Sequence, residues 1–206
     1  MGSSTAAAPR QCSWSLDGHL CIAASERMTA LAIVSYPSLD QADRQWIESV
    51  RARHDPQADR IGVHFTLVFP TDASPAQVTA EVAAVARSAQ PIPFTIRRAR
   101  AVSDVGGGGH VFLVPDEGRG EIATLHDQLY EGVLRPHLRA DLPFTPHMTI
   151  AASSDFAACE GLVRELGLDH RTVQGILRRI ELITLEEPRV DSIATFVLGG
   201  SGGACE

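Results

Sequence analysis

Gly62-Val63-His64-Phe65-Thr66-Leu67-Val68-Phe69-Pro70 and Phe144-Thr145-Pro146-His147-Met148-Thr149-Ile150-Ala151 are the two stretches on which the reading of this chain turns. Each is an apolar strand interrupted by a histidine and a threonine two positions apart. Successive strand side chains point to opposite faces, so residues two apart share a face at roughly 7 Å. Each strand therefore offers an imidazole and a hydroxyl to one side. On the other side, Phe65 and Leu67, or Met148 and Ile150, enter the core. Two such strands packed about a pseudo-twofold axis make a cleft with two histidines and two threonines.

That set of groups suits in-line chemistry at a phosphodiester. One neutral histidine takes a proton from the attacking oxygen while a protonated one delivers a proton to the leaving oxygen. Histidine alone has an unperturbed pKa that allows both roles near neutral pH. The hydroxyls of Thr66 and Thr149 can donate to the non-bridging phosphate oxygens. A bare His-x-Thr is a weak signal: 8 histidines and 12 threonines in 206 residues give about half a match by chance. The chain has three, but His170-Arg171-Thr172 lies in a polar run between a predicted helix and strand and reads as coincidence. The other two share a strand context, a following aliphatic residue and equivalent places in the order of elements.

Outward from these strands the periodicity switches repeatedly. Residues 31–34 read as a strand, and Ala42, Trp46, Ile47 and Val50 as a helix with Ser38 as its N-cap. After the strand at 62–69, Ser74-Pro75 opens a helix with Val78, Val82, Val85 and Ala89 on one face. Residues 92–103 and 109–114 read as a hairpin around the glycines 106–109, its tip a candidate flap over the cleft. A helix follows with Ile122, Leu125, Leu129 and Val133 on one face, then a strand at 147–152, a helix near 154–166, and strands around 176–185 and 192–198. The order, roughly βαβαββ and then αβαββ, predicts an α+β, two-lobed, pseudo-symmetric fold. Each lobe is an antiparallel-rich sheet with outer helices, and a central cleft carries the two His-x-Thr strands. Residues 1–27 read as a flexible N-terminal extension, 28–199 as a single bilobal domain and 200–206 as a tail.

Composition narrows the function. All 18 basic residues are arginine, which removes Schiff-base chemistry and every phosphate loop built on a lysine. The net charge of −7 is concentrated in the second half, which argues against coating long duplex DNA but not against one local phosphate site. The cysteines Cys12, Cys21, Cys159 and Cys205 form no Cys-x-x-Cys pair, so neither a zinc site nor a disulfide framework is expected. No apolar stretch reaches the ~18 residues of a membrane span, and Met1 to Arg10 lacks the apolar core of a secretory signal. A cytoplasmic monomer is expected, acting on a small or end-bound phosphate without metal or cofactor.

On His64-Phe65-Thr66-Leu67 and Pro146-His147-Met148-Thr149-Ile150 the chain resembles the 2H phosphoesterases, the superfamily of 2′-5′ RNA ligase-like proteins and cyclic nucleotide phosphodiesterases. The resemblance covers roughly residues 29–199. It implies a two-lobed fold with both motifs in the cleft, His64 and His147 as acid and base, and Thr66 and Thr149 holding phosphate. It also implies metal-independent action on 2′,3′-cyclic phosphates, related cyclic diesters or 2′-5′ linkages. Three functions follow: a hydrolase of 2′,3′-cyclic phosphate, a 2′-5′ RNA ligase or 2′-5′ phosphodiester-cleaving enzyme, and a nucleotide- or RNA-binding module that turns nothing over.

Other features weigh less. Gly199-Gly200-Ser201-Gly202-Gly203 fits the serine-hydrolase elbow pattern but has no helix after it. Tyr36, Phe69 and Phe112 stand on or at the ends of strands; core packing is the simpler reading and stacking on a nucleobase the functional one. Arg97, Arg98, Arg100, Arg178 and Arg179 read first as solvated strand-edge residues and second as phosphate contacts. His110, His126 and His137 read as surface or structural.

Overall fold

A computed structural model describes residues 30–168, 171–186 and 188–200. The extension expected over 1–27, nearly all of the tail and His170 of the third His-x-Thr lie outside the described residues. Ten strands and four α-helices follow in the order β1 (Ala30–Ser35), β2 (Ser38–Leu39), α1 (Gln41–His54), β3 (Phe65–Thr71), α2 (Pro75–Ser88), β4 (Ile92–Ile96), β5 (Ala99–Ser103) and β6 (Gly109–Leu113). Then come α3 (Arg119–Leu129), a 3₁₀ turn (Gly132–His137), β7 (Met148–Ser153), α4 (Phe156–Leu166), β8 (Val173–Leu177), β9 (Arg179–Glu186) and β10 (Arg189–Val197). No described helix is long and apolar enough to cross a membrane.

The helices start where capping chemistry allows. Asp40, not Ser38, caps α1 by accepting the Asp43 N–H at 2.7 Å. Ser38 is unavailable because Ser38 and Leu39 pair with β8. Ser74 and Pro75 open α2 as expected, with Pro75 fitting the first turn, where no N–H is needed. Asp155 caps α4, and Gly167 closes it in the left-handed conformation at φ 53°.

All strand pairs described are antiparallel, in three sheets of order β10-β9-β1-β3, β2-β8-β4 and β5-β6-β7. The α+β class with antiparallel sheets holds, but the sheets do not follow the two halves of the chain. The C-terminal hairpin β9–β10 returns to pair with β1, and β7 joins β5 and β6 of the first run of elements. The expected continuous strand at 92–103 is also two elements: β4 pairs with β8, while β5 pairs with β6. Strand pattern fixes which face is apolar, not which neighbour is chosen.

One large core holds Leu31, Ile33, Phe65, Leu67, Ile180 and Leu182 of the four-stranded sheet together with Val111, Leu113, Met148 and Ile150 of the β5–β7 sheet. On the opposite face of β1 and β9, Ala32, Val34 and Ile183 form a second small cluster, flanked by Tyr36 and Ile61. β1 is thus apolar on both faces, whereas the motif strands are apolar on one.

Candidate active site

The two motifs are built alike, residue by residue. From His64 to Val68, and from His147 to Ala151, burial runs partial, full, partial, full, full. Phe65, Leu67, Met148 and Ile150 are all completely buried, as the alternation requires. The extra buried residue in each run has one cause. Val34 and Ile33 pair with Thr66 and Val68, so Leu67 is bulged out of register. Phe112 and Val111 pair with Thr149 and Ala151, so Ile150 is bulged too. A bulge bends a strand and re-aims the side chains beside it; here both follow the motif threonine.

The histidines sit one residue before their strands and are fixed by the same device. His64 Nδ1 lies 2.8 Å from the Gly62 carbonyl oxygen, and His147 Nδ1 lies 2.7 Å from that of Thr145. A carbonyl only accepts, so Nδ1 carries the hydrogen in each ring. That leaves Nε2 as the working atom, an acceptor when the ring is neutral and a donor when it is charged. Neither the Thr66 nor the Thr149 hydroxyl has a hydrogen-bond partner among the described residues, and both threonines are partly accessible.

Cross-strand pairing identifies what shares their faces. Glu181, Val34 and Thr66 stand in one row across β9, β1 and β3. Arg100, Phe112 and Thr149 form the matching row across β5, β6 and β7. Each threonine is therefore two strands, about 10 Å, from a charged residue, acidic in one sheet and basic in the other. Arg100 is exposed. Glu181 is bonded to Arg179 at 3.3 Å and accepts from the Ser192 hydroxyl at 3.3 Å.

Electrostatics separates the two rings. Each keeps an accessible edge but is packed on its other sides, and burial lowers the proton affinity of both. For His147 the pKa is pushed down to about 4, by burial first and then by the nearby His64 and His110. For His64 burial again leads, the Gly62 carbonyl opposes it, and Arg51 and Asp55 act in opposite directions. His64 stands close enough to His147 for its charge to lower the proton affinity of that ring.

The aromatic residues proposed from sequence divide three ways. Phe112 is stacked on His147, with ring centroids 3.8 Å apart. It is buried, so that face is closed to a nucleobase. Tyr36 meets His64 edge-on at 6.0 Å, and burial next to Glu181 raises its phenol to about 12, so it stays a neutral hydrogen-bonding group. Phe69 stands farther along β3, where its N–H donates to the Tyr130 hydroxyl at 3.1 Å, and makes no ring contact with either histidine. The arginines also divide: Arg97 pairs with Glu117 at 2.6 Å and Arg98 with Asp116, so both are committed. The 106–109 tip does not reach over the histidines. Gly109 pairs with Ser153 and Leu113 with Met148, which puts the tip at the far end of β7, roughly 15 Å from His147.

Three supporting groups carry no sequence motif. Arg51 is buried, bonded to Asp55 at 2.9 Å, Glu48 at 3.2 Å and the Ile61 carbonyl at 2.6 Å. It pins the segment that leads into His64, and Glu48 also accepts the Val63 N–H at 3.3 Å. Only the i, i+3 and i, i+4 spacing of Glu48, Arg51 and Asp55 hinted at this cluster. His110 is buried and stacked on Phe112 at 5.9 Å, extending the His147–Phe112 pair. His126 is buried against β3 rather than on the surface. Among the described residues no group of three or more His, Cys, Asp or Glu side chains is placed to hold a metal ion.

Known structures share this fold. E. coli LigT in apo form matches at 19% identity and a TM-score of 0.52, over 84% of this chain and 98% of that one. E. coli LigT complexed with 3′-AMP matches at 16% identity and 0.54, over 84% and 99%. TT0787 of Thermus thermophilus matches at 14% identity and 0.56, over 84% and 100%. At these identities the likeness speaks for the fold alone. No curated protein sequence matches the chain. The family description of the 2′-5′ RNA ligase superfamily does match, over residues 38–189, and with most of its length and both motif strands inside that match the chain belongs to this superfamily of two-histidine phosphoesterases.

Proposed function

We propose that the chain opens 2′,3′-cyclic phosphates, on a nucleotide or an RNA end, by attack of water, with His64 and His147 as its acid–base pair and no metal in the reaction. The observation that supports this reading is the duplicated geometry: two motif imidazoles, each with Nδ1–H tied to the carbonyl two residues back and Nε2 left free. One ring, neutral, takes a proton from water through Nε2 as its oxygen bonds to phosphorus. The other, protonated, gives its Nε2 proton to the ribose oxygen that leaves. Thr66 and Thr149 donate their unshared hydroxyls to the non-bridging oxygens as charge builds there.

Both rings favour the neutral form in the free protein, so the acid has to gain its proton with the substrate. A cyclic phosphate monoanion between the rings supplies the opposite charge that raises the proton affinity of one of them. The structure of E. coli LigT with 3′-AMP places a nucleoside monophosphate in a protein of this fold, in keeping with a nucleotide ligand here. The same acid–base pair serves a 2′-5′ linkage when a ribose hydroxyl replaces water, and the superfamily's description names that joining reaction.

The test is a panel of 2′,3′-cyclic mononucleotides, 2′-5′ and 3′-5′ dinucleotides and RNA ends, with product mapped as 2′- or 3′-phosphate. Turnover of the cyclic phosphates, unchanged by EDTA, is expected, with His64→Ala and His147→Ala each losing ~10²–10⁴-fold. Either variant retaining near-full activity rules out the paired mechanism. Exclusive action on 2′-5′ linkages selects the second reading, and tight binding without product reduces the chain to a binding module.

A further inference from the structure

We propose that His126 is a positioning residue that ties the two histidine strands to each other, holding β3 by a hydrogen bond and the segment before His147 by ring stacking. The inference rests on the acid–base reading above but concerns residues outside it.

Among the described residues β3 is the edge of its sheet, so its outward N–H and C=O groups have no strand partner there. Helix α3 supplies substitutes. His126 Nδ1 lies 2.7 Å from the Leu67 carbonyl oxygen and, as that oxygen only accepts, donates to it. One turn later the Tyr130 hydroxyl accepts the Phe69 N–H at 3.1 Å. Residues four apart on a helix are separated by about 6 Å and residues two apart on a strand by about 7 Å, so the two spacings match. Two side chains of α3 and its C-terminal cap thus complete the edge of the strand that carries Thr66.

The same imidazole faces the second motif. The ring of Phe144 stacks on His126 with centroids 3.7 Å apart and planes 1° from parallel. Phe144 precedes Thr145, whose carbonyl holds His147 Nδ1 at 2.7 Å. A continuous path results: Thr66, the Leu67 carbonyl, His126, Phe144, the Thr145 carbonyl and His147. His126 is almost fully buried and remote from solvent, which keeps both contacts at fixed geometry. In-line transfer needs the acid, the base and the hydroxyls in register, and a misplacement of about 1 Å costs on the order of 10²-fold.

Three variants separate the contacts. His126→Asn keeps an N–H donor at the position of Nδ1 and loses the stacked ring. His126→Phe keeps the ring and loses the donor. Phe144→Leu, at a partly exposed position, removes the stack from the other side. Each is expected to lower kcat by about 10-fold with KM within twofold, at temperatures where circular dichroism shows the chain folded. The imidazole resonances of His64 and His147 report position without substrate. His147 should shift in His126→Asn and Phe144→Leu, and β3 amides from Phe65 to Phe69 in His126→Phe. The proposal is overturned if Phe144→Leu and His126→Asn leave both kcat and the His147 resonance unchanged, or if every loss of activity disappears once unfolded protein is subtracted. A wild type inert toward all phosphodiesters would defeat the acid–base reading and leave the resonance shifts to decide the role of His126.

Discussion

Replacing Arg51 by methionine removes a single charge from beneath the His64 side of the site. The guanidinium is 2% exposed and satisfies Asp55, itself 3% exposed, at 2.9 Å. It also bonds the Ile61 carbonyl at 2.6 Å and Glu48 at 3.2 Å. Methionine fills much of the volume but leaves a buried carboxylate uncompensated and a carbonyl unsatisfied. Breaking a buried ion pair from one side costs about 3–5 kcal/mol. At about 2–4 °C per kcal/mol for a chain of this size, the melting temperature should fall by roughly 6–20 °C. Two signatures distinguish this origin from generic core damage. Arg51 depresses the proton affinity of His64, so Arg51→Met should raise the His64 pKa as followed by NMR titration. The double variant Arg51→Met/Asp55→Asn should recover about 1–3 kcal/mol, because the asparagine amide oxygen still accepts the Gln57 N–H while the stranded charge is gone. Urea and thermal denaturation of the wild type, Arg51→Met, Asp55→Asn and the double variant form the cycle. A single-variant loss under about 1 kcal/mol, or a double variant no better than the single, would refute the buried-cluster account.

Stability should also depend on pH in a defined window. The folded pKa of His147 lies near 4 against an ordinary value of 6.5, so between these limits the unfolded chain binds more protons. Stability is complete above about 6.5 and declines toward pH 4, by at most about 3 kcal/mol from this ring, reduced because its edge is accessible. Urea titrations of wild type and His147→Asn at pH 7 and 5 measure the difference, and equal losses in both would exclude it. Thr66→Val and Thr149→Val should each lower kcat by about 10²-fold with little change in melting temperature, since neither hydroxyl has a protein partner among the described residues. A melting temperature that falls while kcat holds would assign the hydroxyls to the fold instead. Arg100→Met should leave stability within ~0.5 kcal/mol, as its side chain is exposed. It should raise KM several-fold for RNA ends while sparing cyclic mononucleotides; equal KM values for both would remove Arg100 from the site.

Much of the site was legible because it depends on local periodicity. A strand alternates its faces whatever it pairs with, so His64 and Thr66, or His147 and Thr149, were bound to share a side opposite Phe65 and Leu67, or Met148 and Ile150. Apolar stripes likewise fixed α1 and α2, and the turn residues fixed their starts to within a few positions. What the tertiary structure decided is everything set by a non-local neighbour. Strand 92–103 divided because β8 and β6 compete for its two ends, and β9 returned to β1 across the length of the chain. Phe112 became a support for His147, not a platform for a base, because pairing of β6 with β7 puts it beside Thr149. Arg51 and His126 look like ordinary helix-surface residues in the sequence. Only the buried carboxylate and the open strand edge they meet in the fold show why they are there, since a buried polar group must find its partner wherever the chain brings one.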